Sequence, residues 1–315
     1  MDIITSRAVR GMMMQALSVD SAPSWVNGVS NFFTSDQASE NYGWLSDVAA
    51  MREWVGERQA KTLSELEWTI ANKHFEDTLE FSISDMRRDK INAIQTRINE
   101  LAVRASTHEA SLLSQLILDG IDTACYDGQF YFDTDHEEGD SGTQSNDISI
   151  DISTLPVATG GTITAPSPAE MQLCIAQGIT QIAGFVDGQG EPMNENARQF
   201  VVMVPMSLYM SAVTAVTTPM QVAETQTALQ GLKTRFSVTV EPNVRLSSWT
   251  DEFAIFRTDA PVKALIRQQE TNLKIGSLAE GSDFAFKNDA HQYGVSIWRN
   301  VAYGRWQNAC LVTMT

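Results

Sequence analysis

The sequence predicts an α+β fold, and three features carry that prediction. One stretch, Asp89 to Gly120, repeats apolar and small residues at helical spacing. Short segments before and after it alternate apolar and polar residues with the period of a strand. Helix and strand patterns then intermix through the second half, with no internal repeat.

The helical stretch is the longest single pattern. Ile91, Ile94, Ile98, Leu101, Ala105, His108 and Leu112 step by three and four residues, which draws one stripe along one face. Lys90, Arg97, Glu100, Arg104 and Glu109 fall mostly on the other faces. Neither Pro nor Gly interrupts it between Met86 and Asp119. Ser84 or Asp85 can cap its start, and Gly120 can end it as a left-handed residue. About 30 residues make a rod of roughly 45 Å. Such a rod suits a spine across a flat molecule; a long core helix or a short coiled coil is the plainer reading. All three roles are structural.

Composition bounds the rest. With 315 residues and 43% hydrophobic content, the chain has material for two cores. No run of 18 or more apolar residues marks a membrane span. The start, MDIITSRAVRGMMMQAL, lacks the basic, apolar and cleavage regions of a secretory signal. The net charge of -17 repels phosphate, which excludes a dedicated nucleic-acid binder. It suits a wall that encloses DNA without sticking to it, but a merely soluble protein is the plainer reading of charge taken alone. Cys125, Cys174 and Cys310 are far apart and odd in number, so a disulfide framework and a zinc site are both disfavoured. They read as small buried apolar residues of a reduced, intracellular protein, and no cofactor is expected.

Residues 1 to about 38 begin with a short helix that Thr5 or Ser6 can cap. A polar run with Trp25, Phe32 and Phe33 follows. It reads as an arm lying on its own domain or on a neighbouring subunit. In residues 41 to 77, Trp44, Trp54 and Trp68 stand among many charges. Leu79, Phe81 and Ile83 alternate with Glu80 and Ser82, a strand signal. Together these predict an extended hairpin before the long helix. A hairpin without its own core is marginal in water, so its tryptophans need a partner surface, within the chain or on another. Trp25, Trp54, Arg58, Trp68 and Lys73 are the candidate subunit-interface residues.

Four blocks carry a family resemblance. YGW (Tyr42 to Trp44), REWVGER (Arg52 to Arg58), TIANKHFE (Thr69 to Glu76) and CYDGQFYFDTDH (Cys125 to His136) resemble, in the same order, blocks of the major head subunit of Mu-like tailed phages. The likeness is close over roughly residues 41 to 136 and loose beyond. It implies the Hong Kong 97-type capsid fold, with an arm at 1–40 and an extended loop at 41–82. A peripheral domain with a spine helix follows at 83–155, then an axial domain at 156–248 and a return to the peripheral domain at 249–315. The implied function is that of a major capsid protein, not an enzyme. Pentamers and hexamers would close into an icosahedral head around double-stranded DNA. Scaffold, portal and decoration proteins are the implied partners. The location is the virion, after assembly in the host cytoplasm, with no membrane.

After the long helix, Asp127-Gly128 marks a turn and Asp133 to Asp147 an exposed acidic loop. Ser167 and Pro168 open a helix that runs through Ile182. FVVMV (Phe200 to Val204) is a buried strand, Ser207 caps a helix to about Val213, and Phe236 to Val244 is another strand. From Trp249 the pattern is β, and Ala309 to Met314 is apolar enough to be a central strand. All of 249–315 is expected to complete the sheet of the peripheral domain.

Catalytic chemistry has one candidate. Asp127, Asp133, Asp135, His136, Glu137, Glu138 and Asp140 offer carboxylates and an imidazole to a metal, and a metal-dependent enzyme built on Asp133 to His136 is the rival from another class. The loop fails the calcium pattern, because its sixth position is Glu138 and its twelfth Gln144. A solvated acidic loop is the plainer reading. His74, His108, His136 and His291 form no HxxxH or HExxH pattern, and no phosphate-binding loop or GxSxG element occurs. A nanocompartment shell with the same fold is the nearer rival. A lysine–asparagine crosslink from Lys61 or Lys73 to Asn288 or Asn300 is not implied by the resemblance.

Overall fold

Two five-stranded sheets joined by one long helix dominate the computed structural model. It describes residues 6–18, 22–43, 68–88, 91–156, 160–217, 221–222, 225–226 and 235–315. The arm consists of α1 (Ser6–Leu17), α2 (Trp25–Val29) and β1 (Ser30–Thr34). Strands β2 (Ser39–Asn41) and β3 (Thr69–Ala71) pair antiparallel on either side of residues 44–67. Trp54, Arg58 and Lys61 fall in that interval, outside the described residues. Then follow β4 (Lys73–Ser82), α3 (Ile83–Arg87) and α4 (Ile91–Leu118).

The second half begins with β5 (Asp147–Ile150), α5 (Pro168–Gly184), β6 (Gln199–Val204) and α6 (Tyr209–Thr217). A two-residue pair, β7 (Gln221–Val222) and β8 (Thr225–Gln226), precedes β9 (Ser237–Pro242). The chain closes with β10 (Glu252–Arg257), β11 (Leu265–Gln269), β12 (Lys274–Leu278), α7 (Asp283–Asn288), β13 (Ala290–Tyr303) and β14 (Ala309–Met314).

The first sheet is built on β13. One edge of β13 takes β4 over ten residues, from Ala290 opposite Ser82 to Arg299 opposite Lys73. Its other edge takes β12 and then β11, both antiparallel, and β1 adds to β11 in parallel. The described arm therefore lies on its own chain. The second sheet runs β5-β14-β10-β6-β9, with α5 packed against β10 and β14.

Residues 249–315 do not all return to the first sheet. Only β11, β12 and β13 do; β10 and β14 sit centrally in the second. Burial gives the reason. Phe253, Ala254, Ile255 and Phe256 are successive and all fully buried, so β10 needs cover on both faces. The strands β4 and β12 instead alternate with exposed residues and can stand with one open face. Elsewhere the local signals act as expected. Ser167 and Glu170 form a reciprocal capping box at the start of α5, with Pro168 in its first turn.

The long helix departs from a single stripe. Ile94, Ile98 and Leu101 enter a small core with Val9 and Met13 of α1, Phe81 of β4, and Tyr293 and Val295 of β13. Ala110, Leu113 and Ile117 enter the large core instead. At about 100° per residue the buried face turns by roughly 120° between the halves. The stripe continued through Ala105, His108 and Leu112 is only half-buried.

Both helix ends also differ from expectation. Ser82, not Ser84 or Asp85, caps α3, accepting from the Asp85 backbone N–H, and α4 starts separately. Gly120 lies in a 3-10 turn and has no positive φ. Its need is space: a Cβ there would stand 2.7 Å from the Phe132 ring.

This rotation predicts unequal neighbours. Leu113→Ala should cost about 2–5 kcal/mol in urea unfolding, and Leu112→Ala less than about 1.5 kcal/mol. Equal losses would contradict the turned face.

Candidate assembly interface

The base of the hairpin is the best-anchored part of the candidate interface. The Tyr42 backbone N–H donates to the Trp68 carbonyl at 2.7 Å. Its phenol donates to Gln268 Oε1 on β11, also at 2.7 Å. Gln268 Nε2 donates in turn to the Ile70 carbonyl (3.2 Å) and to Asn72 Oδ1 (2.8 Å). Tyr42, Asn72 and Gln268 are all buried. The YGW and TIANKHFE blocks thus supply the residues that fasten the hairpin to the first sheet. Gln268 was not legible from sequence, because nothing local marks a glutamine in a strand as a clamp.

The five candidate residues divide. Trp25 is only 5% exposed and packs in the large core of its own chain, so it offers no indole surface to a neighbour. Trp68 is half-buried against that core, and its Nε1 has no acceptor among the described residues. Lys73 is exposed at the start of β4. Beside it, His74 stacks on Trp298 with ring centroids 4.6 Å apart, an exposed pair that spacing along the chain did not reveal. Trp54 and Arg58 lie outside the described residues.

The acidic loop is exposed at Asp135, Glu137 and Asp140, as expected, but His136 and Asn146 turn inward. His136 is fully buried and stacks on Trp306 at 4.1 Å. The turn at Asp127-Gly128, with Gly128 at φ 92°, brings Asp127 beneath the ring. His136 Nδ1 meets Asp127 Oδ2 at 2.6 Å. The Cys125 thiol donates to Asp127 Oδ1 at 3.0 Å. Asn146 Nδ2 donates to the Tyr131 and Trp306 carbonyls, which turns Asn146 Oδ1 toward His136 Nε2 at 3.2 Å. Both imidazole nitrogens therefore face acceptors. Glu138 Oε1 accepts from Tyr126 (2.7 Å), Trp306 Nε1 (3.0 Å) and Gln307 Nε2 (3.0 Å).

Cys125, Asp127 and His136 each hold one possible metal-ligand atom, all within 4.8 Å of one another. The donor set is a poor fit for an ion. Each of the three is already paired within the set, and burial pushes the Cys125 thiol up, away from the thiolate a metal prefers. Asp133 and Asp135 do not join it. Asp135 is exposed, and Asp133 bonds its own loop's backbone. The cluster is a staple that ties residues 125–147 to the turn before β14. It lies inside the CYDGQFYFDTDH block, but its partners Asn146 and Trp306 come from outside that block.

Residues 6–154 match the family of the Mu-like prophage major head subunit gpT. Over those residues the chain is similar to the Mu-like major head subunits. The major capsid protein of Escherichia phage Mu is 30% identical over 139 residues, 42% of this chain and 46% of that one. The chain thus spans under half the length of that relative. In structure, a subunit of the bacteriophage JBD30 procapsid aligns over 98% of this chain and 74% of its own, at 22% identity and TM-score 0.54. A virus-like particle from Pyrococcus furiosus aligns over 98% of both chains, at 11% identity and TM-score 0.52. The fold is the Hong Kong 97-type capsid fold. The matched residues 6–154 include the described arm, the long helix and the His136 staple.

The staple makes a pH-dependent contribution to stability. Burial pushes the Asp127 carboxyl up, but hydrogen bonds from His136 and Cys125 outweigh it and hold it below the ordinary 3.8. A depressed carboxyl stabilises the fold above its unfolded pKa and loses that effect as pH falls through the folded value. Asp127→Asn should cost about 3 kcal/mol at pH 7. The gap to the unsubstituted protein should shrink as pH drops below 3.8, read by urea unfolding at a series of pH values. A gap that is constant with pH would remove the contribution of the ionised Asp127 carboxylate.

Proposed function

We propose that this chain is a major capsid protein whose work is assembly rather than turnover. Pentamers and hexamers of it close into an icosahedral head shell around phage double-stranded DNA. The observation that carries this reading is the alignment of 98% of the chain with the JBD30 procapsid subunit, joined to Mu-like sequence over residues 6–154. A hairpin fastened at its base by Tyr42, Asn72 and Gln268 supports it, because a rigid base lets a long segment reach another subunit. Trp54, Arg58, Trp68 and Lys73 are proposed contacts of that hairpin with the next chain, apolar anchors and charge pairs together.

Scaffold and portal proteins, and a decoration protein on the outer surface, complete the proposed partners. Assembly takes place in the host cytoplasm and the product is the virion head. Among the described residues no helix is long and apolar enough to cross a membrane. The charge of -17 keeps the inner wall from gripping DNA, so packaged DNA is enclosed rather than bound.

The metal-enzyme reading lacks a reachable centre, because His136 is fully buried and stacked. A nanocompartment shell shares the fold, and the sequence likeness to phage head subunits favours the capsid.

Electron microscopy of the purified protein, alone and with phage assembly factors, tests the reading. Closed shells or rings of five and six are expected. Deleting residues 54–67, which spares Trp68 and Ile70 of the buried base, should leave a folded, soluble monomer that forms none. A monomer under every condition would reject assembly as the function, and normal shells from the deletion would reject the hairpin as the contact.

A further inference from the structure

The outward continuation of the helix stripe leaves a groove. Leu101 and Ala105 of α4, with Leu273, Val295 and Ile297, line a cavity of about 230 Å³ open to solvent. A cavity of about 150 Å³ lined by aliphatic and aromatic side chains already holds a benzene ring. This one is larger and also has a charged side. Arg104 and Arg299 line it together with His108, and Glu76 and Asp77 contribute from β4. Arg299 is 7% exposed. Its ion pair to Glu109 is long at 3.4 Å, and its Nε has no acceptor among the described residues. An apolar hollow beside an under-satisfied buried guanidinium fits a group that is aromatic and carries carboxylates next to it.

The same chain presents such a group elsewhere. Phe286 is 92% exposed. It sits on α7, a short helix fixed by the Ser282 cap and by Asp289 at φ 47°, whose N–H donates to the Ala285 carbonyl. Asp283 and Asp289 flank it, both exposed. Among the described residues no contact accounts for a phenyl ring held out on a built helix. Nor does it serve its own groove. The helix α7 leads into β13 at Ala290, whereas the groove uses Val295 to Arg299, so roughly 20 Å of strand separates knob from hole.

We propose that Phe286 of one copy inserts into the α4–β13 groove of a second copy, with Asp283 and Asp289 set against Arg104 and Arg299. A knob and a hole on different parts of one surface make a head-to-tail contact, the kind that closes into rings. The contact rests on the shell reading and adds to it a site independent of the hairpin. Its aromatic centre is desolvated and its charge pairs fix the register.

Two experiments on the full chain test it. Phe286→Asp should leave the urea unfolding curve unchanged, because the ring is solvated in the single chain, and should cut shell yield at least tenfold at fixed concentration, the effect of losing one anchor. Wild-type shell yield from Phe286→Asp would overturn the contact. In the second experiment, Phe286→Cys and Ala105→Cys proteins are mixed, assembled and oxidised. A disulfide-linked dimer is expected from the mixture and from neither variant alone. The native Cys125, Cys174 and Cys310 are buried and do not compete. Shells that form without that dimer would also overturn it. The two failures separate cleanly. If the wild-type chain forms no shells, the capsid reading falls; if it forms shells and both variants behave as wild type, only this contact falls.

Discussion

The fold depends on one helix serving two cores. The first half of α4 buries Ile94, Ile98 and Leu101 in the small core, and its second half buries Ala110, Leu113 and Ile117 in the large one. Neither core is independent of the rod that joins them. The crossing point is electrostatic. Glu109 sits where the buried face turns, paired with Arg267 of β11 and Arg299 of β13. Arg267 is further held by Ser30 and Asn27 of the arm. A partly buried carboxylate between two buried guanidinium groups keeps the turn in the helix face, the first sheet and the arm in one register. Ion pairs of this kind contribute position more than net stability.

The same turn explains why the surface is unfinished. A helix that gave one face to one core would have no apolar stripe to spare. Here the first stripe continues past Leu101 after the chain has stopped covering it. Ala105 and His108 are left half-buried, with Phe75 edge-on to the imidazole at 4.5 Å. Burial, then the charge of Arg299, pushes the His108 pKa down, so the neutral ring is favoured beside the apolar stretch. A monomer that exposes such a stretch gains by covering it with another chain, which agrees with the proposed shell subunit.

Much of the fold was legible in the sequence, and where it was not the reason is physical. Helical spacing located α4, and Ser167 and Pro168 located the start of α5, because caps and periodicity are local. The placement of β10 and β14 was not legible. An all-apolar strand such as FAIF says that both faces are covered, not which sheet covers them. The rotation of the buried face was hidden for a similar reason: Ala105, His108 and Leu112 fit the stripe, and only the tertiary partners decide where it ends. The site was legible as motif and not as geometry. CYDGQFYFDTDH holds Cys125, Asp127 and His136, but the residues that close the staple, Asn146 and Trp306, stand outside it. Acidity suggested a solvated loop because composition averages over residues; it does not show that one imidazole at position 136 turns inward.

Charge sets the terms on which such subunits can meet. Copies each carrying -17 repel, and the repulsion is long-ranged only at low salt. At physiological ionic strength it is screened beyond about 8 Å, while pairs in contact and desolvated are screened much less. Apolar insertion and local charge pairing can therefore prevail over a uniformly unfavourable net charge, provided the contacts are short and many. On the first sheet, Arg267 and Arg299 are both buried and share the carboxylate of Glu109. Net acidity then limits non-specific sticking to nucleic acid and to misaligned copies, and short desolvated charge pairs can fix the alignments in which attraction exceeds repulsion.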